Sequence, residues 1–183
     1  LLQLNKKSLF IGTDMKTHYL FLALISLLLF SCEKDDICSE STQTTPRLVL
    51  EFYDISAPED LKQVPGLFAI GLDNDANEVE IINELVSTRS TIELPLQNNA
   101  NQTQFKLYKS YDLVDSTVVG NPDIITVTYA IETLYISRAC GYINNYEIQT
   151  FSISNDSERW MTSFEILTTQ ITNENEIHVK ILH

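Results

Sequence analysis

Apolar and polar residues alternate along much of the chain after residue 46, and a period of two residues is typical of half-buried β-strands. In residues 47–54, Leu48, Leu50 and Phe52 would share one face. The same alternation recurs in five later segments: Phe68, Ile70 and Leu72; Ile92, Leu94 and Leu96; Phe105 and Leu107; Ile125, Val127, Tyr129 and Ile131; Ile177, Val179 and Ile181. Helical spacing is weak, and only residues 79–85 and 157–161 suit a short helix. We therefore expect about seven to nine short strands.

Clusters of turn-forming residues separate these strands, at residues 57–60, 73–75, 97–101, 120–123 and 155–157. Pro95 lies inside an alternating run and cannot donate to a ladder, so it predicts an edge strand. The spacing predicts a single all-β domain over residues 46–183, an antiparallel β-sandwich of immunoglobulin-like or prealbumin-like type. A closed barrel of strands is the alternative.

A short apolar run, residues 19–30, follows Met15 and Lys16 near the start of the chain. The run is shorter than the roughly 20 residues that a membrane-spanning helix needs. A basic start, a short apolar run and a small residue before the cut are typical of a secretory signal peptide. We therefore assign residues 15–31 to a signal peptide and expect residues 1–14 to be an over-extended start.

The end of this segment, Leu29-Phe30-Ser31-Cys32, resembles the lipobox of bacterial lipoproteins, although Phe30 is larger than the residue usually found there. The resemblance implies a diacylglyceryl thioether on Cys32 and an acylated amino terminus. Two or more acyl chains hold a protein stably at a membrane. Residues 32–45 would then be the lipid anchor and an acidic tether. An ordinary signal peptide with a fortuitous cysteine is the alternative.

The anchor is followed by Lys34, Asp35 and Asp36, which resemble a lysine–acid–acid export signal of Gram-negative bacteria. That resemblance implies transport to the outer membrane and exposure on the cell surface. A solvated acidic tether, with the protein on the periplasmic face, is the alternative.

Cysteine usage leads to a pairing. If Cys32 carries lipid, Cys38 and Cys140 remain, and two thiols outside the cytoplasm usually form a disulfide. Metal binding by this pair has little support, because no histidine is close in sequence to either cysteine. The segment between Cys32 and Cys38 extends to at most about 20 Å, so a disulfide would hold the domain close to the membrane.

The chain has a formal charge of −13, and removal of residues 1–31 would leave 9 basic and 24 acidic residues, a charge of −15. This balance repels phosphate backbones and anionic headgroups, so nucleic acid is not an expected partner. The expected partners are the membrane, through the lipid on Cys32, and another envelope protein. No motif indicates a cofactor.

One acidic segment has partial metal-site spacing. Asp73, Asp75, Asn77 and Glu84 occupy the first, third, fifth and twelfth positions of a loop, as in an EF-hand. Glu78 stands where that loop has an invariant glycine. A plain acidic turn therefore explains the segment better than a calcium site, and we predict no metal.

Two features near the second cysteine have alternative interpretations. Arg138 would either bind an anion beside the disulfide or be a paired strand residue, with Gly141 relieving the following turn. The tyrosines from Tyr129 to Tyr146 would either offer a stacking surface for sugar rings or pack in the sandwich. Trp160 is expected in or beside the core.

Catalysis has little support in the sequence, and we predict no catalytic residue and no enzymatic activity. Nucleophile elbow, phosphate loop and zinc-protease motifs are absent from the sequence. His178 lies on the polar face of the last alternating run and is expected to face solvent, and His183 is terminal.

Taken together, the signal, the tether beginning Cys32-Glu33-Lys34-Asp35-Asp36, Cys38 and the string Arg138-Ala139-Cys140-Gly141 resemble a family of small bacterial lipoproteins known only as domain of unknown function 6452. The sequence therefore favours a membrane-anchored binding or accessory module. A glycan-binding module and a carboxylate-dependent hydrolase are the alternatives.

Overall fold

The computed structural model describes residue 19 and residues 37–81, 85–154 and 157–183. The predicted signal peptide, Cys32 and the export signal of Lys34, Asp35 and Asp36 therefore lie outside the described residues. The strands, in chain order, are β1 (Leu48–Asp54), β2 (Ala57–Leu61), β3 (Val64–Leu72), β4 (Glu78–Val79), β5 (Ser87–Arg89), β6 (Thr91–Leu94), β7 (Gln102–Val114), β8 (Thr117–Ser137), β9 (Gly141–Ile153), β10 (Ser163–Ile166), β11 (Gln170–Ile171) and β12 (Val179–Leu182).

The strands form two packed sheets, which confirms the predicted all-β sandwich. One sheet has the order β10-β12-β1-β2, with β6 also paired to β1. The other has the order β11-β9-β8-β7-β3-β4, with β5 also paired to β3. The pairing of β1 with β12 is parallel, and the other pairings between described strands are antiparallel.

The inner faces of the two sheets form one apolar core. In β1 the predicted alternation is confirmed, because Leu48, Leu50 and Phe52 are fully buried. The opposite sheet contributes, among others, Phe105, Leu107, Ile125 and Val127. Trp160 is buried at the edge of this core, as expected, and its indole nitrogen donates to the carbonyl of Leu107 at 3.3 Å.

Strand β3 has the predicted period, but the face assigned from sequence is wrong. Leu67 and Ala69 point into the core, whereas Phe68 and Ile70 are only partly buried, and of the three assigned residues Leu72 alone is buried. Phe68 packs on the ring of Tyr111 with 4.5 Å between ring centroids. Both faces of β3 carry apolar residues, so alternation alone does not show which face is buried.

Strands β7, β8 and β9 are long and give the molecule two distinct ends. Strand β8 has 21 residues, and at about 3.3 Å per residue it spans at most about 70 Å. At one end, β7 joins β8 through Asp115 and Ser116, which both have positive φ and suit a two-residue hairpin turn. We call this the hairpin end. At the other end, residues 138–140 join β8 to β9, and we call this the disulfide end.

Two predicted turns are wrong, and the described residues of the two segments that suited a short helix are not helical. Residues 57–60 lie in β2, and residues 120–123 lie within β8, where Gly120 (φ +130°) accompanies an irregular pairing with β7. Glu78 and Val79 form strand β4, and the described residues from 37 onward include no helix. Each of these strands pairs with the strand that precedes it in the chain, and this pairing overrides the local turn or helix propensity.

Pro95 has the role predicted for it. Strand β6 ends at Leu94, directly before the proline, and pairs with β1 alone among the described strands. It is therefore an edge strand of its sheet.

Among the described residues, no helix is long and apolar enough to cross a bilayer.

Candidate functional site

A cleft of about 600 Å³ opens along one side of the sandwich, between the edge strand β6 of one sheet and the edge strand β4 of the other. We call it the edge cleft. Its volume falls within the range of small-ligand sites, about 300–1,000 Å³. No sequence pattern predicts this cleft, because its lining residues come from separate segments between residues 47 and 105.

The walls of the edge cleft are mainly apolar, with polar groups at defined places. The apolar lining residues are Leu72, Val79, Ile81, Pro95 and Phe105. The polar and charged lining residues are Arg47, Asp73, Glu80, Glu93, Gln97 and Thr103. Val79 is half exposed and Glu80 is exposed, so both are accessible to a ligand. An apolar surface with acidic groups suits a partner that carries apolar side chains and a positive charge.

Arg47 is fixed at the mouth of the edge cleft by two carboxylates. Its Nε and Nη2 atoms donate to the two carboxylate oxygens of Glu174 at 2.8 and 2.7 Å, a bidentate arrangement. Arg47 also forms an ion pair with Glu93. The hydrogen bond with Arg47 lowers the pKa of Glu174, and the same bond raises the pKa of Arg47. The guanidinium is therefore already paired and positions Glu93 beside the cleft.

Asp73, also at the cleft, closes a tight acidic turn. Its Oδ1 accepts the backbone N–H groups of Asp75 (2.9 Å) and Asn77 (2.8 Å), and its Oδ2 accepts Asn77 Nδ2 at 3.0 Å. These bonds, with that from the Asn77 side chain largest, lower the pKa of Asp73. Both carboxylate oxygens of Asp73 thus accept hydrogen bonds within the turn. The described residues include no group of three or more acidic, cysteine or histidine side chains that could hold a metal ion. Glu84 lies outside the described residues.

At the disulfide end, Cys38 and Cys140 form the predicted disulfide, with their Cα atoms 4.9 Å apart. The segment after Cys38 is held further along as well. The backbone N–H of Asn144 donates to Thr45 Oγ1 at 3.0 Å, and Gln43 Nε2 donates to the carbonyl of Thr172. Opening the disulfide would therefore release residues 39–42 and leave Gln43 and Thr45 bound.

Arg138 lies in the turn that carries the disulfide and not in a strand, so the strand interpretation is wrong. Its side chain is exposed. Gly141 has φ +72° and begins β9, which agrees with its predicted role in relieving the turn. Glycine adopts this conformation without steric cost.

The tyrosines between residues 129 and 146 divide into a buried pair and an exposed pair. Tyr129 and Tyr146 are buried, and their rings meet edge to face with 5.1 Å between ring centroids. Burial raises the pKa of Tyr146 to about 12. Tyr129 donates its hydroxyl to the carbonyl of Gln97 at 3.0 Å. Tyr135 and Tyr142 are 57% and 68% exposed, and their ring centroids lie 5.2 Å apart. Only the exposed pair is available to a ligand.

Both C-terminal histidines are buried, so the prediction of a solvent-facing His178 is wrong. His178 precedes β12, and its Nδ1 accepts the backbone N–H of Val49 at 2.9 Å. His183 Nε2 lies 3.3 Å from the carbonyl of Lys62. Each ring thus completes backbone hydrogen bonding at one end of the parallel β1–β12 pair. Desolvation lowers the pKa of both rings.

The comparison with known protein families gives a match over the larger part of the chain. A family described as a family of unknown function, DUF6452, matches residues 67–183, which is more than half of the chain. The chain belongs to the DUF6452 family. Neither a curated protein nor a solved structure matches the chain at a significant level.

The DUF6452 match begins inside β3, whereas the sandwich begins earlier. Strand β1 lies in the middle of its sheet, between β12 on one side and β2 and β6 on the other, yet it precedes the matched residues. Cys38 and Arg47 also precede them, although their partners Cys140 and Glu174 lie within the DUF6452 match.

Proposed function

We propose that the chain is a membrane-anchored envelope lipoprotein whose β-sandwich acts as a binding module without catalysing a reaction. Its partner is another envelope protein, which inserts an extended segment into the edge cleft. The observation that carries this proposal is the cleft itself, which lies between the edge strands β4 and β6. An edge strand offers unpaired backbone groups, and adding a strand from a partner is a recurrent mode of peptide recognition.

The charges around the edge cleft define the partner further. Asp73, Glu80 and Glu93 are three acidic groups against the single guanidinium of Arg47, which already binds Glu174 and Glu93. The partner segment is therefore apolar with a lysine or arginine near its apolar residues. Electrostatic complementarity of this kind improves specificity and association rate more than affinity.

Binding suits these groups better than catalysis does. Arg47 and Glu93 are paired with each other, and the pKa of Asp73 is lowered by its turn hydrogen bonds. A carboxylate-dependent hydrolase needs a carboxylic acid that donates a proton, which requires a raised pKa. Hydrolytic activity of the purified protein that is lost in Glu80→Gln would overturn the non-enzymatic assignment.

Photo-crosslinking in intact cells tests the edge cleft. Benzoylphenylalanine at Val79, which is half exposed in the cleft, should give an adduct with one envelope protein. The same residue at Phe164, on the opposite edge strand β10, is the matched control and should give no such adduct. The crosslinked peptide should be an apolar segment that contains a basic residue.

Charge reversal distinguishes specific docking from chance contact. Glu80→Lys at the cleft should abolish the Val79 adduct, whereas Glu147→Lys, an exposed change on β9, should preserve it. An adduct that survives Glu80→Lys, or that forms equally from Phe164, would contradict the cleft as the binding site.

Anchoring at Cys32 accounts for the disulfide, since an extracytoplasmic compartment is where such bonds persist. Metabolic labelling with a fatty acid should mark the wild-type chain and Cys38→Ala, but not Cys32→Ala. An unlabelled wild-type chain would contradict the lipoprotein assignment.

Outer-membrane surface display, proposed from Lys34, Asp35 and Asp36, is tested by protease treatment of intact cells. Protease should remove the wild-type domain and spare the triple alanine variant of these residues. A wild-type chain that resists protease would place the protein on the periplasmic face.

Glycan binding is the second candidate, and it would use the exposed pair Tyr135 and Tyr142. Glycan-array binding that is lost on Tyr142→Ala would support it. Tyr146→Ala is unsuitable as a test, because Tyr146 is buried in the core and its loss would destabilise the fold.

A further inference from the structure

Beyond their pairings with β7 and β11, strands β8 and β9 continue as a two-stranded arm at the disulfide end, where the segment from Cys38 to Thr45 is attached to them. The pairing of β7 with β8 reaches no further than Thr128, and the pairing of β11 with β9 reaches no further than Tyr146. Beyond these residues β8 and β9 pair with each other, as far as Ser137 and Gly141. We call residues 133–144 the arm.

The arm carries the core face of its sheet out into solvent. The register pairs Ile131 with Tyr146 and Tyr135 with Tyr142, and side chains four residues apart on a strand share one face. Tyr146 is buried on that face, whereas Tyr135 and Tyr142 are largely exposed. The face that packs the core thus ends in an uncovered aromatic pair.

The disulfide places this aromatic pair close to the anchor. Cys140 precedes Tyr142 by two residues and is bonded to Cys38. The chain from Cys32 to Cys38 reaches about 13 Å on average if flexible and at most about 20 Å. Ile37, within this segment, is 84% exposed. A lipid on Cys32 would therefore hold the arm beside the membrane surface.

We propose that the arm docks on the membrane, with Tyr135 and Tyr142 in the headgroup region, so that the domain stands with its disulfide end on the bilayer. The inference rests on the proposed lipid anchor at Cys32. Tyrosine concentrates at membrane interfaces because its ring is apolar and its hydroxyl remains hydrated. A weak contact suffices, since a short tether gives the arm a millimolar effective concentration at the surface.

The geometry favours a lipid surface over a sugar ligand. The two rings are inclined at 60° to each other and meet edge to face, so they do not form one flat stacking surface. The lipid is a zwitterionic one, because the acidic chain is repelled by anionic headgroups. An upright domain would also place the hairpin end farthest from the membrane.

Fluorescence quenching by brominated lipid tests this docking. The full lipidated chain is reconstituted in phosphatidylcholine vesicles. Some of the phosphatidylcholine carries bromine on its acyl chains, near the headgroup, and quenches tryptophan at that depth. Two tryptophan variants at the arm, Tyr142→Trp and Tyr135→Trp, replace exposed residues and should preserve the fold. Val118→Trp, exposed at the hairpin end, is the matched control. Trp160 is buried and provides the same background in each protein.

The added tryptophan at residue 142 or 135 should lose fluorescence with brominated lipid, and that at residue 118 should not. Flotation with the vesicles reports the anchor separately. A chain that floats while both arm tryptophans remain unquenched would overturn the docking and leave the anchor intact. A chain that does not float would overturn the anchor itself. Unquenched arm tryptophans together with Tyr142-dependent glycan-array binding would assign the pair to a sugar and overturn the inference.

Discussion

The Nδ1 atom of His178 accepts a hydrogen bond of 2.9 Å from the backbone N–H of Val49, in a fully buried position. The carbonyl of Val49 in turn accepts the backbone N–H of His178 at 3.1 Å. Because Nδ1 is an acceptor, this nitrogen carries no proton in the folded state, and the ring is neutral. The residue thus joins β12 to β1 one position before their regular parallel pairing begins.

This arrangement predicts that the protein loses stability in mild acid. Desolvation lowers the pKa of His178 in the folded state, although Glu176 and Glu174 act in the opposite direction. The unfolded chain therefore binds the proton first, at a pKa of about 6.5. Stability should be constant above that pH, fall as the pH drops through it, and level off below the folded-state pKa.

Urea unfolding between about pH 7.5 and pH 5 measures this effect. His178→Gln, which removes the titrating group, should reduce the slope of stability against pH. The pKa of His183 is lowered by the same cause, so His183→Gln should reduce the slope independently. A His178→Gln variant with the full wild-type slope would contradict the assignment.

The sequence predicted those elements whose pattern reflects burial on one face only. Strand β1 was predictable because Leu48, Leu50 and Phe52 are fully buried and recur every second residue, although Val49 between them is also buried. Strand β3 was assigned to the wrong face because both of its faces carry apolar residues. His178 was assigned to solvent because its side chain is polar, but its imidazole ring is neutral and accepts a buried hydrogen bond from Val49.

The edge cleft could not be predicted, for a different reason. Its lining residues are spread from Arg47 to Phe105, and Arg47 is held by Glu174, 127 positions away, so no local pattern connects them. The disulfide was predictable because it depends on compartment and on a small number of cysteines, which are properties of the whole chain.

Removing the disulfide should destabilise the domain but preserve its fold. The bond between Cys38 and Cys140 closes a separation of 102 residues, for which chain entropy gives an upper limit of about 4–5 kcal/mol. The double variant Cys38→Ser, Cys140→Ser leaves no unpaired thiol from this bond and should unfold at lower urea concentration. Since Thr45 remains bound to Asn144, limited proteolysis should cut this variant only before Gln43. Cleavage after Thr45 would show that the disulfide alone holds the tether.

Asp123 should be a major determinant of stability, although the sequence placed it in a turn. It is fully buried, and its Oδ2 accepts the backbone N–H groups of Trp160 at 3.0 Å and Met161 at 2.7 Å. Asp123→Ala leaves two buried donors without this acceptor, at about 1–3 kcal/mol each. The unfolding midpoint, followed by Trp160 fluorescence, should fall sharply. Asp60→Ala, an exposed change in β2, should leave it within about 0.5 kcal/mol of wild type. Equal midpoints for the two variants would contradict this role.

Two glycines with positive φ should differ in their tolerance of alanine. At Gly120 (φ +130°) an added Cβ would lie 3.0 Å from the carbonyl oxygen of Ser110 and 3.1 Å from that of Lys109. Both contacts are with backbone of the paired strand β7, so they are relieved only by moving the ladder. At Gly141 (φ +72°) an added Cβ meets nothing within 4 Å, and the cost is the left-handed conformation alone, about 1–2 kcal/mol.

Gly120→Ala should therefore lower the free energy of unfolding by more than Gly141→Ala, as measured by urea denaturation. Hydrogen–deuterium exchange shows where the structure loosens: the backbone amides around Lys109 and Ser110 should exchange faster in the Gly120 variant and not in the Gly141 variant. If Gly141→Ala lowers the free energy of unfolding as much as Gly120→Ala, the backbone conformation determines both effects and the contact with β7 does not. The irregular pairing around Gly120 would then not be required by steric contact with β7.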